Sequence, residues 1–152
     1  MRLLSVCRVA CRALMIKSLA LGALLAGLAI LAGCGPKDDT TDLAIMDAPL
    51  LAPANPRIGE PVRITAEVWN QGYNQSSGTT AVFQIDGVTR VTIPVPELQP
   101  GARTRLVTSL TFSAANYHTL TVIVDPDNTQ DDADRGNNTF ISGVQVGSLG
   151  NG

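Results

Sequence analysis

Val62-Arg63-Ile64-Thr65-Ala66-Glu67-Val68-Trp69-Asn70 decides the fold class. Val62, Ile64, Ala66 and Val68 alternate with Arg63, Thr65, Glu67 and Trp69, a period of two that buries one face of a β-strand. Gly59-Glu60-Pro61 turns into this segment, and the polar run Asn70–Gly78 leaves it. Outward from it the chain keeps the same character, with Pro and Gly interrupting every ten to fifteen residues and Thr and Val dominating between them. Leu43 and Ile45 open a short first strand ending at Ala48-Pro49, and Pro53 and Pro56 hold the following connection extended. Ala81, Phe83 and Ile85 line the next strand. Asp86-Gly87 fits a two-residue hairpin turn with positive φ at both positions, and Val88–Ile93 returns. Thr104, Leu106, Thr108, Leu110 and Phe112 share one strand face, as do Leu120, Val122 and Val124. Phe140, Val144 and Val146 mark a last strand. About seven short strands predict an all-β, immunoglobulin/fibronectin-like antiparallel sandwich over residues 42–146, with a small barrel as the alternative closure.

The N-terminus has a different character. Residues 1–17 carry Arg2, Arg8, Arg12 and Lys17 without an acidic residue, and Ser18–Gly33 is an apolar stretch with three glycines. That stretch is shorter than the ~20 residues a spanning helix needs, and it ends in Leu31-Ala32-Gly33-Cys34. The charged flank, apolar run and small residues predict a cleaved signal peptide over 1–33. Leu31, Ala32 and Gly33 would be recognised by the signal peptidase and Cys34 would carry a diacylglycerol and an N-acyl chain. Met15-Ile16-Lys17 would itself open a compact leader, so Met1 and Met15 are both candidate starts. Residues 34–41 are then the lipidated cysteine and a polar tether reaching about 25 Å when extended, and 147–152 form a flexible Gly-rich tail.

Beyond residue 33 there are thirteen acidic and seven basic side chains, a net charge of −6. That balance excludes a nucleic-acid partner. Cys7 and Cys11 leave with the leader and Cys34 is lipidated, so no disulfide is expected and stability rests on the core. The sequence carries no Gly-x-Ser-x-Gly elbow, glycine-rich phosphate loop or Cys–His pair. The single histidine, His118, has no cysteine or second histidine to work with. No enzyme and no cofactor are expected.

Two groups of side chains remain as candidate sites. Asp125, Asp127, Asp131 and Asp132, with Asp134, Asn128, Asn137 and Asn138, form the densest polar cluster. Asp-x-Asp-x-Thr-x-Asp offers the oxygens calcium needs, but Gln130 and Gly136 stand where an EF-hand requires Gly and Glu. The alternative is a turn loop whose Asp and Asn side chains cap backbone N–H groups. Trp69 falls on the polar face of its strand with Tyr73 in the adjoining loop. The pair either contacts a sugar or a partner protein, or Trp69 is covered by neighbouring chain.

Asp42-Leu43, Gly59-Glu60-Pro61-Val62, Val68-Trp69-Asn70-Gln71-Gly72, Asp86-Gly87, Pro100-Gly101, Asp125-Pro126-Asp127-Asn128 and Asn137-Asn138 occur in order. Together they resemble the CARDB module, a bacterial cell adhesion related domain similar to immunoglobulin and fibronectin sandwiches. The family's acidic loop places a Glu four positions after the DPxN asparagine, then a second Glu before Asn-Asn. Asp132 stands at the first of these places and Arg135 at the second, which weakens an acidic-cluster role. Asn116-Tyr117-His118 replaces a glycine-containing turn. The resemblance implies a non-enzymatic extracytoplasmic interaction module. With the lipid anchor, it predicts a membrane-attached envelope protein whose partner is another envelope protein or a glycan such as peptidoglycan, or which is an accessory subunit of an envelope complex. Gly35 after the cysteine, rather than Asp, favours the outer membrane.

Overall fold

The computed structural model describes residues 40–149; the leader, Leu31, Ala32, Gly33, Cys34 and residues 35–39 lie outside them, as do the last three residues. The strands in chain order are β1 (Leu43–Ala44), β2 (Leu50–Ala52), β3 (Pro61–Asn70), β4 (Thr79–Ile85), β5 (Val88–Val95), β6 (Arg103–Thr111), β7 (Tyr117–Val124) and β8 (Thr139–Gln145), with a 3₁₀ turn at Arg135–Asn138. All strand pairings are antiparallel, in two separate four-stranded sheets, so the closure is a sandwich and not a barrel. β6 runs along one edge of β3 from Pro61↔Thr111 to Trp69↔Arg103, and β1 and β2 share the other edge. The second sheet has the order β5-β4-β7-β8. No helix among the described residues is long and apolar enough to cross a membrane.

The core is the one the alternation predicts. Val62, Ile64, Ala66 and Val68 from β3 bury against Phe83, Leu106, Phe112, Leu120, Val122 and Val124. Fully burying one such side chain stabilises by about 1.5–3 kcal/mol, and truncating Phe83 to Ala would cost about 3–5 kcal/mol. Asp86 and Gly87 adopt φ of 54° and 76°, as the hairpin turn between β4 and β5 requires. Arg90 is left without a partner by a register shift in that hairpin, where Phe83 pairs Val91 and Gln84 pairs Thr89.

Two boundaries differ from the sequence reading. The segment expected to be a plain connection after Pro49 re-enters the first sheet as β2, pairing Leu50–Ala52 with Thr65–Arg63. Prolines at 49 and 53 lack the N–H that would extend the pairing, so the strand stays at three residues. The ordered domain also exceeds 42–146 at both ends. Thr41 bridges to Asp132, and Gly147 bridges to Arg57.

Candidate functional site

The side chains singled out by sequence gather at one end of the sandwich, where three segments meet. Residues 40–45 lie between the β3–β4 loop and the β7–β8 loop. On one side Gln71 N–H donates to the Asp42 carbonyl at 2.7 Å, and the N–H groups of Tyr73 and Asn74 donate to Thr40 O at 3.0 and 3.2 Å. On the other, Thr41 N–H donates to Asp131 O, Ala133 N–H to Thr41 O, and Ile45 N–H to Asn137 O, all within 3.1 Å. Leu43 N–H donates to Asp132 Oδ2 at 3.0 Å, and Asn137 Nδ2 to Asp42 Oδ1 at 2.8 Å.

Asn70 organises the β3–β4 side and was not singled out as a site by sequence. Fully buried at the end of β3, it donates through Nδ2 to Asn74 O (2.8 Å) and Leu98 O (2.9 Å). Its Oδ1 accepts from Gly72 N–H (3.0 Å) and Asp42 N–H (3.3 Å). One amide thus satisfies groups from the first ordered segment, its own loop and the β5–β6 connection. The sequence signals for this are a polar Asn at the next inward position of the alternation and its place in the Val68–Gly72 family pattern.

The four candidate acidic residues do not share one environment. Asp125, in a left-handed conformation at φ 49°, is 2% exposed. Its Oδ1 accepts from Thr129 N–H (3.0 Å) and from the hydroxyls of Thr129 (2.5 Å) and Thr79 (2.8 Å); its Oδ2 accepts from Gln130 N–H (3.0 Å). Burial pushes the Asp125 carboxyl up, but the bonds from Thr129, Gln130 and Thr79 outweigh it and hold it at about 2. Arg135, the residue at the family's second Glu position, brings its guanidinium to Asp125 Oδ2 (3.3 Å), Asn128 Oδ1 (2.7 Å) and the Gln130 carbonyl. Asp132 spends both oxygens on the main chain and on Asn138: Oδ2 accepts from Leu43 N–H and Asn138 Nδ2, and Oδ1 from Asp134 N–H. Asp127 and Asp131 are exposed. Among the described residues no three His, Cys, Asp or Glu side chains are grouped so as to hold a metal ion.

Trp69 lies on the outer face of the first sheet, as its phase predicts, but it is not an open platform. The Arg103 guanidinium, delivered by the Trp69↔Arg103 register, stacks 4.2 Å above the ring and also binds Glu67 at 2.8 Å. The indole Nε1 is buried without a hydrogen-bond partner. Tyr73 is exposed at 55% in the next loop. A cleft of about 270 Å³ opens on the same outer face, lined by Asp47, Leu50, Thr65, Glu67 and Arg105 among others. A second of about 240 Å³ lies at the loop end, lined by Thr40, Asn74, Gln75, Ser77, Gln130 and Asp131 among others, all polar.

At the opposite end, His118 is buried at 7% exposure against Phe112, with ring centroids 5.2 Å apart. Its Nδ1 is 2.6 Å from Asp86 Oδ2 and its Nε2 is 3.0 Å from Ala114 O. Both partners are acceptors, so only the imidazolium satisfies both contacts. The Asp86 bond, followed by the Ala114 carbonyl, raises the His118 pKa above 6.5 against the opposing pull of burial. This pair ties the β4–β5 turn to β7 and provides no nucleophile.

The fold defines an all-β, immunoglobulin-like module of two antiparallel sheets. The CARDB family model matches residues 40–142, and the chain belongs to that family. Comparison with curated proteins finds no match. Among solved structures, the chain is similar to the CARDB domain of a Pyrococcus furiosus protein determined in complex with di-metal ions. The identity is 20%, coverage is 74% of this chain and 97% of that one, and the TM-score is 0.65. It is also similar to a domain of a protein from Methanosarcina acetivorans described as a cell surface protein, at 29% identity, covering 70% of this chain and 92% of that one, with a TM-score of 0.61. CARDB is a cell-adhesion-related domain found in cell-surface proteins.

Proposed function

We propose that this chain is a lipid-anchored interaction module of the bacterial envelope, holding a binding surface close to the membrane for another envelope protein. The observation that carries the reading is a CARDB domain in which Thr40, bonded into the fold, follows Leu31-Ala32-Gly33-Cys34 so closely in the sequence. With Thr40 and Thr41 bonded into the fold, the chain from Cys34 to Thr40 can span at most about 20 Å. Local concentration then supplies the function: a domain confined near the bilayer meets partners at high effective concentration. Gly35 supports delivery to the outer membrane. Calcium has no part in this reading. Asp125 is saturated by internal donors, and Arg135 occupies the oxygens that a cation would share with it.

Fractionation of cells expressing Cys34→Ser tests the anchor: the protein is expected to leave the membrane fraction, and a variant that stays membrane-bound refutes it. Crosslinking in intact cells then identifies the partner, and absence of any protein adduct refutes the interaction role. A second reading, glycan binding, is favoured by one observation, the exposed Tyr73 directly before Asn74, which lines the all-polar cleft at the loop end. It expects saturable peptidoglycan binding that Tyr73→Ala abolishes. A subunit role in an envelope complex expects co-purification with membrane proteins and no glycan affinity.

A further inference from the structure

The two sheets have four outer edges, and three are blunted. β5 carries the unpaired Arg90 and Pro94. The edge made by β1 and β2 is two short pieces separated by residues 45–49. The edge of β8 is closed at both ends, by Ile45 N–H to Asn137 O and by the paired bonds of Gly147 with Pro56 and Ile58. Bulges, proline, short strands, covering chain and charged side chains are the devices that keep sheet edges from pairing further. β6 has only the last, in Arg103 and Arg105, which select for an acidic partner instead of closing the edge. It is nine residues long, pairs with β3 in unbroken register, and contains no proline or glycine. Among the described residues, no backbone hydrogen bond outside the β3 pairing involves Arg103–Thr111.

The side chains of β6 show that its flank is uncovered and what would cover it. The inward residues of β3 are fully buried, yet Thr104, Thr108 and Leu110, which face inward on β6, are only half-buried. Its outward row reads Arg103, Arg105, Val107, Ser109, Thr111, with Arg63 beside Ser109 on β3. Three of the seven cations beyond residue 33 therefore lie on one face of a domain whose net charge is −6. Arg103 is engaged with Glu67 and Trp69, whereas Arg63 and Arg105 have no ion-pair partner among the described residues. Val107, at the midpoint of the strand, is 42% exposed.

We propose that the free edge of β6 is the docking strand of this module, taking an extended partner segment in which acidic and apolar residues alternate. The inference rests on the interaction-module reading and names its surface. Main-chain bonds to the edge supply affinity. The apolar residues of the partner complete the half-covered core at Leu110 and Thr108, and its acidic residues lie beside Arg105 and Arg103.

The test uses the full chain in detergent micelles with a labelled ten-residue peptide alternating Glu and Val. A Lys–Val peptide serves as the control. Binding is read by fluorescence anisotropy and located by amide hydrogen exchange. The Glu–Val peptide is expected to bind and to slow exchange across residues 103–111. Arg105→Glu, at an exposed position, is expected to weaken it by about tenfold or more and to shift preference toward Lys–Val. The proposal is overturned if neither peptide binds, if protection falls on β8, if Arg105→Glu leaves affinity unchanged, or if the chain instead dimerises through β6. A cellular crosslink to a partner through another face would overturn the β6 assignment and leave the interaction role standing.

Discussion

Gly72→Ala is a substitution for which general expectation and this structure give opposite signs. Gly72 sits in a half-exposed loop without a left-handed φ. An alanine at such a site ordinarily stabilises by about 0.4–1 kcal/mol by restricting the unfolded chain. Here a Cβ would lie 2.5 Å from Thr40 O, 2.6 Å from Thr41 C and 2.7 Å from Asp42 N, all main-chain atoms. Carbon contacts settle near 3.5–4.0 Å, so the first ordered segment must move by about an ångström. That movement breaks the three bonds from Gln71, Tyr73 and Asn74 to residues 40 and 42. At about 1 kcal/mol each, and after the entropic gain, the net loss is about 2–3 kcal/mol. For a domain of this size that lowers Tm by roughly 10–15 °C. Gly78→Ala is the control: the nearest atom to its Cβ is Val95 O at 3.7 Å, and φ is again not left-handed. It is expected to be neutral or slightly stabilising. Thermal unfolding followed by circular dichroism compares the two. A Gly72→Ala protein that melts at or above the parent temperature refutes the clamp between residues 40–42 and this loop.

The other predictions concern single groups. Asn70→Ala strands two carbonyls and two N–H groups in a buried site and is expected to cost about 3–4 kcal/mol; a loss below about 1 kcal/mol in urea unfolding would show that water replaces the amide. The His118 pKa is raised in the fold, so its stabilisation is complete below pH 6.5 and is lost as pH rises through the folded value. Tm should therefore fall as the pH rises above 6.5 and through the folded value, and His118→Gln should remove that slope; an unchanged slope assigns it elsewhere. Asp125 is lowered from 3.8 to about 2, so its contribution of about 2 kcal/mol is present above pH 4 and is lost on acidification toward pH 2. Asp125→Asn should flatten that limb of the acid unfolding curve. Arg103→Ala uncovers the Trp69 ring, and acrylamide quenching of its fluorescence should rise; equal quenching would mean that other chain shields the indole.

What sequence could show was set by how local each interaction is. The phase of β3, the Asp86-Gly87 turn and the core rows depend on neighbours two residues apart, and all three appear where alternation and turn chemistry put them. β2 was missed because a three-residue strand between prolines has no periodicity to read. Trp69 was placed on the correct face, but its cover comes from Arg103, 34 positions away, and follows from a register that sequence does not display. The acidic loop shows the same limit. Asp125 and Asp127 look alike in the chain. Only the fold brings Thr79, Thr129, Gln130 and Arg135 around one of them and leaves the other in solvent. Asn70 and Gly72 were visible as parts of a family pattern, while their work depends on contacts with residues 40–42 and 98.

The clamped segment also has a mechanical meaning. Residues 40–45 bond to β3 and its loop in the first sheet, and to the β7–β8 loop that leads into the second. Under the proposed anchor at Cys34, tension arriving through residue 40 would be shared between both halves of the sandwich instead of peeling a single edge strand. Such an attachment is released only after the bonds to both loops have broken.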